Sequence, residues 1–164
     1  MPPFRIRLFP DSVLRKASEP VSKIDKSIEV LVEHLIETMR HQPGGVGIAA
    51  PQIGALKQIA IVDVSSKVQG AHLIVLINPV ILERDELVVF REGCMSLPDY
   101  TANVKRANRI RVRWQDLSLK RQELVTSGLE ARCIQHEIDH LNGMLFVDRV
   151  TSLKSDVFRR KRYV

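Results

Sequence analysis

The chain has 164 residues, of which 45% are hydrophobic and 27% charged, with a formal net charge of +6 when histidine is neutral. That length suits one compact domain with its own core, and the composition excludes a disordered chain. The most apolar stretch, residues 72–82, is too short to span a bilayer and is broken by Asn78-Pro79, which argues against a membrane protein.

The opening, MPPFRIRLFP, lacks the apolar run of a secretory signal. A cytoplasmic, bacterial-type location is therefore expected, or an organelle if a transit peptide has been removed. Residues 25–42 form the first helix, with Ile28, Leu31, Val32, Leu35, Ile36 and Met39 on one stripe. Asp25 is its N-cap and Pro43-Gly44-Gly45 ends it. Residues 58–64 read as a buried strand, and 72–77 as another closed by Asn78-Pro79. A further strand covers 86–92. Residues 109–114 alternate, with Ile110, Val112 and Trp114 on one face and Arg109, Arg111 and Arg113 on the other. A strand over 117–125 follows. Ser127 and Glu130 then form a capping box that opens a second helix, which runs through His140 and stops near Asn142-Gly143. A short basic helix is expected from Ser152 to the end. Helix, strands and a packed helix make an α+β domain.

The second helix carries His136-Glu137-Ile138-Asp139-His140, an H-E-x-x-H pattern. Residues four apart share a helix face, so two imidazoles can hold one metal ion with Glu137 beside its water. A catalytic metal of this kind wants a third protein ligand. No His follows the motif, and the only acids after it are Asp148 and Asp156, which disfavours a small metalloprotease. Two cysteines do not make a disulfide framework, so Cys94 and Cys133 are free to compete for the role. The Cα of Cys133 lies about 10.5 Å along the helix axis from that of His140. Its sulfur also leans away, so it reads as a small buried hydrophobe. Cys94 ends a strand between Gly93 and Pro98, where both a core thiol and a third ligand are open. The glycines at 44, 45 and 47 lack the lysine and serine of a phosphate loop.

Three segments, GVGIAAPQIG from Gly45, EGCMSLP from Glu92 and QHEIDH from Gln135, resemble the motifs of peptide deformylases in order and separation. The resemblance implies a single catalytic domain over residues 1–164, with antiparallel strands packed around a central metal-bearing helix. It implies hydrolytic removal of the formyl group from the initiator formylmethionine of nascent polypeptides. Cys94, His136 and His140 would bind one divalent metal, Fe2+ first, with Ni2+, Co2+ or Zn2+ able to substitute. Glu137 would be the acid/base, while the Gln52 amide and the Met95 N–H would stabilise the oxyanion. Val46 and Gly93, with Gly47 beside them, would hold the peptide backbone, and Phe90, Leu129 and Cys133 would wall the methionine pocket. The chain departs from the family at Met95, where leucine is usual, and at Arg132, where an apolar pocket residue is usual.

The basic tail, about 152–164, reads by default as a solvated terminus. Its functional reading is contact with ribosomal RNA phosphates. Specific DNA binding is not expected. A basic RNA- or ribosome-binding module with a vestigial metal site is the other alternative, opposed by the intact motif residues.

Overall fold

Residues 4–160 are described in a computed structural model of the chain. Helix α1 (Lys26–His41) opens where the Asp25 carboxylate accepts the Ile28 N–H at 3.1 Å. Its buried stripe, Ile28, Val32, Leu35 and Met39, packs on Ile48, Ile59, Ile61 and Ile77. Burying each such side chain is worth about 1.5–3 kcal/mol, against tenths for helix propensity, so tertiary packing holds this helix.

Strands β1 (Gly47–Ala49) and β2 (Ile59–Val62) pair antiparallel, and β2 continues onto β3 (Ile74–Cys94). All four β2 residues are buried because helices cover both faces of this part of the sheet. Ile59 and Ile61 face the α1 cluster, whereas Ala60 and Val62 face the cluster around helix α2 (Gly128–Leu141). A strand covered on both faces loses polar alternation, hence the continuous apolar run in its sequence.

The sequence reading divided β3 in two, and the structure corrects this. One strand runs through Asn78-Pro79, and Pro79 sits in a register shift between Ile77 and Val80, where no ladder donor is required. Asn78 adopts φ +52° and bonds both the N–H and the carbonyl of Val21. Strand β4 (Leu97–Gln115) returns along β3, so the two form a long hairpin joined by Met95 and Ser96. It begins twelve residues before the clean alternation at 109–114. The reason is Arg106, a charged residue at a buried position, which masks the periodicity.

Strand β5 (Arg121–Ser127) pairs with the end of β4 and starts later than expected. The Asp116 carboxylate accepts the N–H groups of Ser118 and Lys120 and makes a turn of residues 116–120. The capping box is also corrected. Ser127 is the N-cap of α2 but makes no side-chain cap bond, since it still pairs with Arg109 in the sheet. Glu130 instead accepts from Thr126 Oγ1 at 2.8 Å. Gly128, with φ +66°, makes the abrupt change from strand to helix.

After α2 the expected basic helix is reduced to one turn, α3 (Leu153–Asp156). The chain then extends as β6 (Val157–Arg159), antiparallel to Tyr100–Ala102 of β4. Val157 and Phe158 are half-buried there, which repays an extended chain more than a solvated helix. The last four residues of the basic tail lie outside the described residues.

Candidate active site

The tip of the β3–β4 hairpin meets the middle of α2. Cys94 ends β3, and α2 presents His136 and His140 one turn apart toward it. One donor atom from each of the three lies within 4.8 Å of the others, and Cys94 Sγ is 3.3 Å from His140 Nε2. It is the one such cluster found among the described residues. Cys133 is not part of it; its sulfur instead donates to the Val46 carbonyl at 3.5 Å. Burial, then the charges of Glu137 and Glu92, push the Cys133 thiol well up, so it remains protonated.

The donor set fits a metal. Two imidazoles and a thiolate leave one position of a tetrahedral site for water. His136 Nδ1 bonds the Glu92 carboxylate, which leaves Nε2 as the nitrogen available to the cluster. His140 Nδ1 is buried without a hydrogen-bond partner among the described residues.

Behind the histidines lies an ionic network that the sequence reading did not find. Arg106 is 4% exposed and clamps Glu92 through two bonds of 2.8 and 2.7 Å, while its third contact is Asp139 at 2.9 Å. Arg149 closes the far side of Asp139. Burial pushes the Glu92 carboxyl up, but Arg106 and His136 outweigh it and hold the pKa at about 2. Glu92 is therefore an ionised acceptor for the His136 N–H. Asp139 had been only a variable position of the H-E-x-x-H pattern. A buried arginine reached across fourteen residues from Glu92 leaves no local signal.

Glu137 lies beside the cluster on α2. Desolvation raises its pKa to about 7, and its Oε1 has no partner among the described residues. A carboxyl of that kind can accept and return a proton near neutral pH. Across from it is Gly47 of β1. A Cβ there would stand 2.8 Å from Glu137 Oε2 and 2.9 Å from Cys133 Sγ, so the backbone approach requires glycine.

Gln52 is buried in a 3-10 turn after β1. Its Oε1 accepts the Ala49 N–H at 3.0 Å, which turns Nε2 toward Ser96 Oγ at 3.1 Å and Cys94 Sγ at 3.7 Å. The amide is thus held as a donor at the cluster.

A cavity of about 510 Å³ opens over this chemistry. Val46, Gly47 and Gln52 form one wall, and Gly93, Cys94 and Met95 a second. The third is the α2 face with Leu129, Arg132, Cys133, His136 and Glu137. His140 sits behind, 1% exposed. Phe90 is not brought to the cavity. It is exposed on β3 and lies under Arg132, whose guanidinium carbon is 3.9 Å from the ring centroid.

Comparison with known proteins agrees with this geometry. The sequence matches the polypeptide deformylase family over residues 3–156. It is 44% identical to the peptide deformylase of Thermodesulfovibrio yellowstonii over 156 residues, covering 95% of this chain and 94% of that protein. The structure is similar to that of peptide deformylase from Thermotoga maritima, with a TM-score of 0.85 and 42% identity, covering 93% of this chain and 100% of that one. For the Synechococcus elongatus peptide deformylase in complex with actinonin, the TM-score is 0.85 and the identity 39%, covering 94% of this chain and 82% of that one.

Proposed function

The chain belongs to the polypeptide deformylase family, and from that premise we infer that it is a metal-dependent hydrolase that removes the N-formyl group from nascent polypeptides. The observation that carries this reading is the meeting of Cys94, His136 and His140 beside a buried Glu137 at the floor of a cavity.

Cys94, His136 and His140 would hold the divalent metal. When bound there it supplies Lewis acidity, which makes a water nucleophilic near neutral pH and polarises an amide carbonyl. Glu137 accepts the proton of the attacking water and returns it to the leaving amine. Gln52 Nε2 and the Met95 N–H donate to the developing oxyanion, with the Ala49 bond keeping the Gln52 amide from turning. The formyl C–N bond breaks, and formate and a free amino terminus leave. Val46, Gly47 and Gly93 hold the substrate backbone. Leu129 and Cys133 wall the side-chain pocket, which suits methionine, with Arg132 beside them on the same lining.

We assign Fe2+ as the resident metal because the family resemblance implies it; the thiolate with two imidazoles also suits Ni2+, Co2+ or Zn2+. Metal analysis of protein purified without oxygen tests this. A cytoplasmic location accords with the family, and no described helix is long and apolar enough to cross a membrane. The basic C-terminal segment would attract ribosomal phosphates, and such association should weaken steeply with salt.

The deciding experiment is formate release from a formyl-methionyl tripeptide by Fe2+-loaded protein. Rapid release by the parent protein and none by Glu137→Ala supports the reading. No release from metal-loaded parent protein refutes it.

A further inference from the structure

Lys67, Arg91, Arg132 and Arg160 stand around the catalytic cavity. None of the four is ion-paired to a carboxylate among the described residues. The acids that line the same cavity do not cancel them. Glu92 is taken by Arg106 and His136, and Glu137 is buried beside the Cys94, His136 and His140 cluster. On the exposed strand face two arginines find partners: Arg109 takes Asp85, and Arg111 takes Glu83 and Glu123.

Two of the cavity arginines are held by rings. Arg132 lies 3.9 Å from the Phe90 centroid and Arg91 3.9 Å from that of Phe158. Stacking fixes a guanidinium plane while leaving edge N–H groups for another acceptor. Among the described residues Arg91 has otherwise only the uncharged partners Asn103 and Thr101. Arg160 arrives by a different route. Strand β6 pairs with β4, and the Arg160 N–H continues the ladder by donating to the Asp99 carbonyl at 2.8 Å. Its guanidinium then lies over Gly93, where a Cβ would collide with it. Gly93 is the residue assigned above to the substrate backbone.

We propose that this ring of cations is a specificity device: it recognises a carboxylate side chain in the second or third residue of the substrate, so that formylated chains continuing with Asp or Glu are processed faster. The inference rests on the deformylase reading. Positive charge gathered around a concave mouth sets up a field that an anionic substrate feels before it docks. A peptide laid along Gly93 carries the side chains after the formylated residue past Arg160.

The test uses the Fe2+-loaded protein and three C-terminally amidated peptides, formyl-Met-Glu-Glu, formyl-Met-Gln-Gln and formyl-Met-Lys-Lys, so that only side-chain charge differs. At low ionic strength the Glu peptide should exceed its Gln isostere by about three- to tenfold in kcat/KM, mostly through KM, with the Lys peptide slowest. The advantage should collapse at about 0.5 M salt, where the Debye length is only a few ångströms. Arg160→Gln should lower the Glu/Gln ratio about twofold or more. Equal kcat/KM for the Glu and Gln peptides in the parent protein would overturn the inference while leaving deformylation intact. An unchanged ratio in Arg160→Gln would remove Arg160 from it. No formate from any peptide would defeat the deformylase reading and this inference together.

Discussion

Glu137 and Cys94 show how differently single residues announce themselves. Glu137 follows a histidine inside a helix motif, so its proximity to the proposed ligand His136 is covalent and local. For Glu137→Gln we expect unchanged metal content and turnover lower by about 10²–10⁴-fold, measured as formate release. Near-normal turnover would remove it as the proton carrier. Helix spacing set Cys133 aside but could not show that Cys94 reaches the histidines, because Cys94 meets His140 across 46 residues. Metal loss in Cys94→Ala and full metal in Cys133→Ala, read by elemental analysis, is the expected contrast. Gln52 carried no local mark of a donor. Its role depends on the Ala49 N–H occupying Oε1 and so aiming Nε2. Gln52→Leu should cost about 10²–10³ in kcat while the metal stays bound. A loss confined to KM would contradict the oxyanion assignment.

Between elements, the approach of β1 to α2 is set by a missing side chain. Gly47→Ala places a methyl against Glu137 and Cys133. It should lower kcat by about 10- to 100-fold through displacement of the carboxylate. Retained activity, with folding and metal content checked, would show that the helix can retreat. The joint between β3, β4 and α2 is ionic, through Glu92, Arg106 and Asp139. Removing the central cation leaves Glu92 to His136 and Asp139 to the half-exposed Arg149, so both buried carboxylates lose their main counter-charge. Arg106→Met is therefore expected to cost about 3–5 kcal/mol, measured by denaturant unfolding. Elements were legible where one periodicity held throughout, as in α1. They were not where tertiary partners overrode local signals. Asn78 bonds Val21 and lets β3 continue through Pro79, and Thr126 takes Glu130 away from a capping role.

For the whole molecule, acid stability follows from the carboxylates that the fold ionises. The Glu92 pKa is about 2 in the fold against an ordinary 4.5, and Asp148 is also lowered, its burial outweighed by Arg15 and the Leu145 N–H. A depressed carboxyl binds fewer protons folded than unfolded. Its stabilisation is thus complete above about pH 4.5 and drains away as pH falls toward 2. Urea midpoints should drop across that window, and less so in Arg106→Met; a flat profile would contradict the network. The amino-acid sequence by itself determined the chemistry. Three contiguous segments carry the motif residues, and a helix places residues four apart on one face without help from the rest of the chain. The tertiary structure alone decided how Cys94 reaches the histidines, which way the Gln52 amide points, how long the central hairpin runs and where Arg160 ends. Those outcomes depend on hydrogen bonds and contacts between residues tens of positions apart, such as the 42 between Gln52 and Cys94, and no local pattern encodes such pairings.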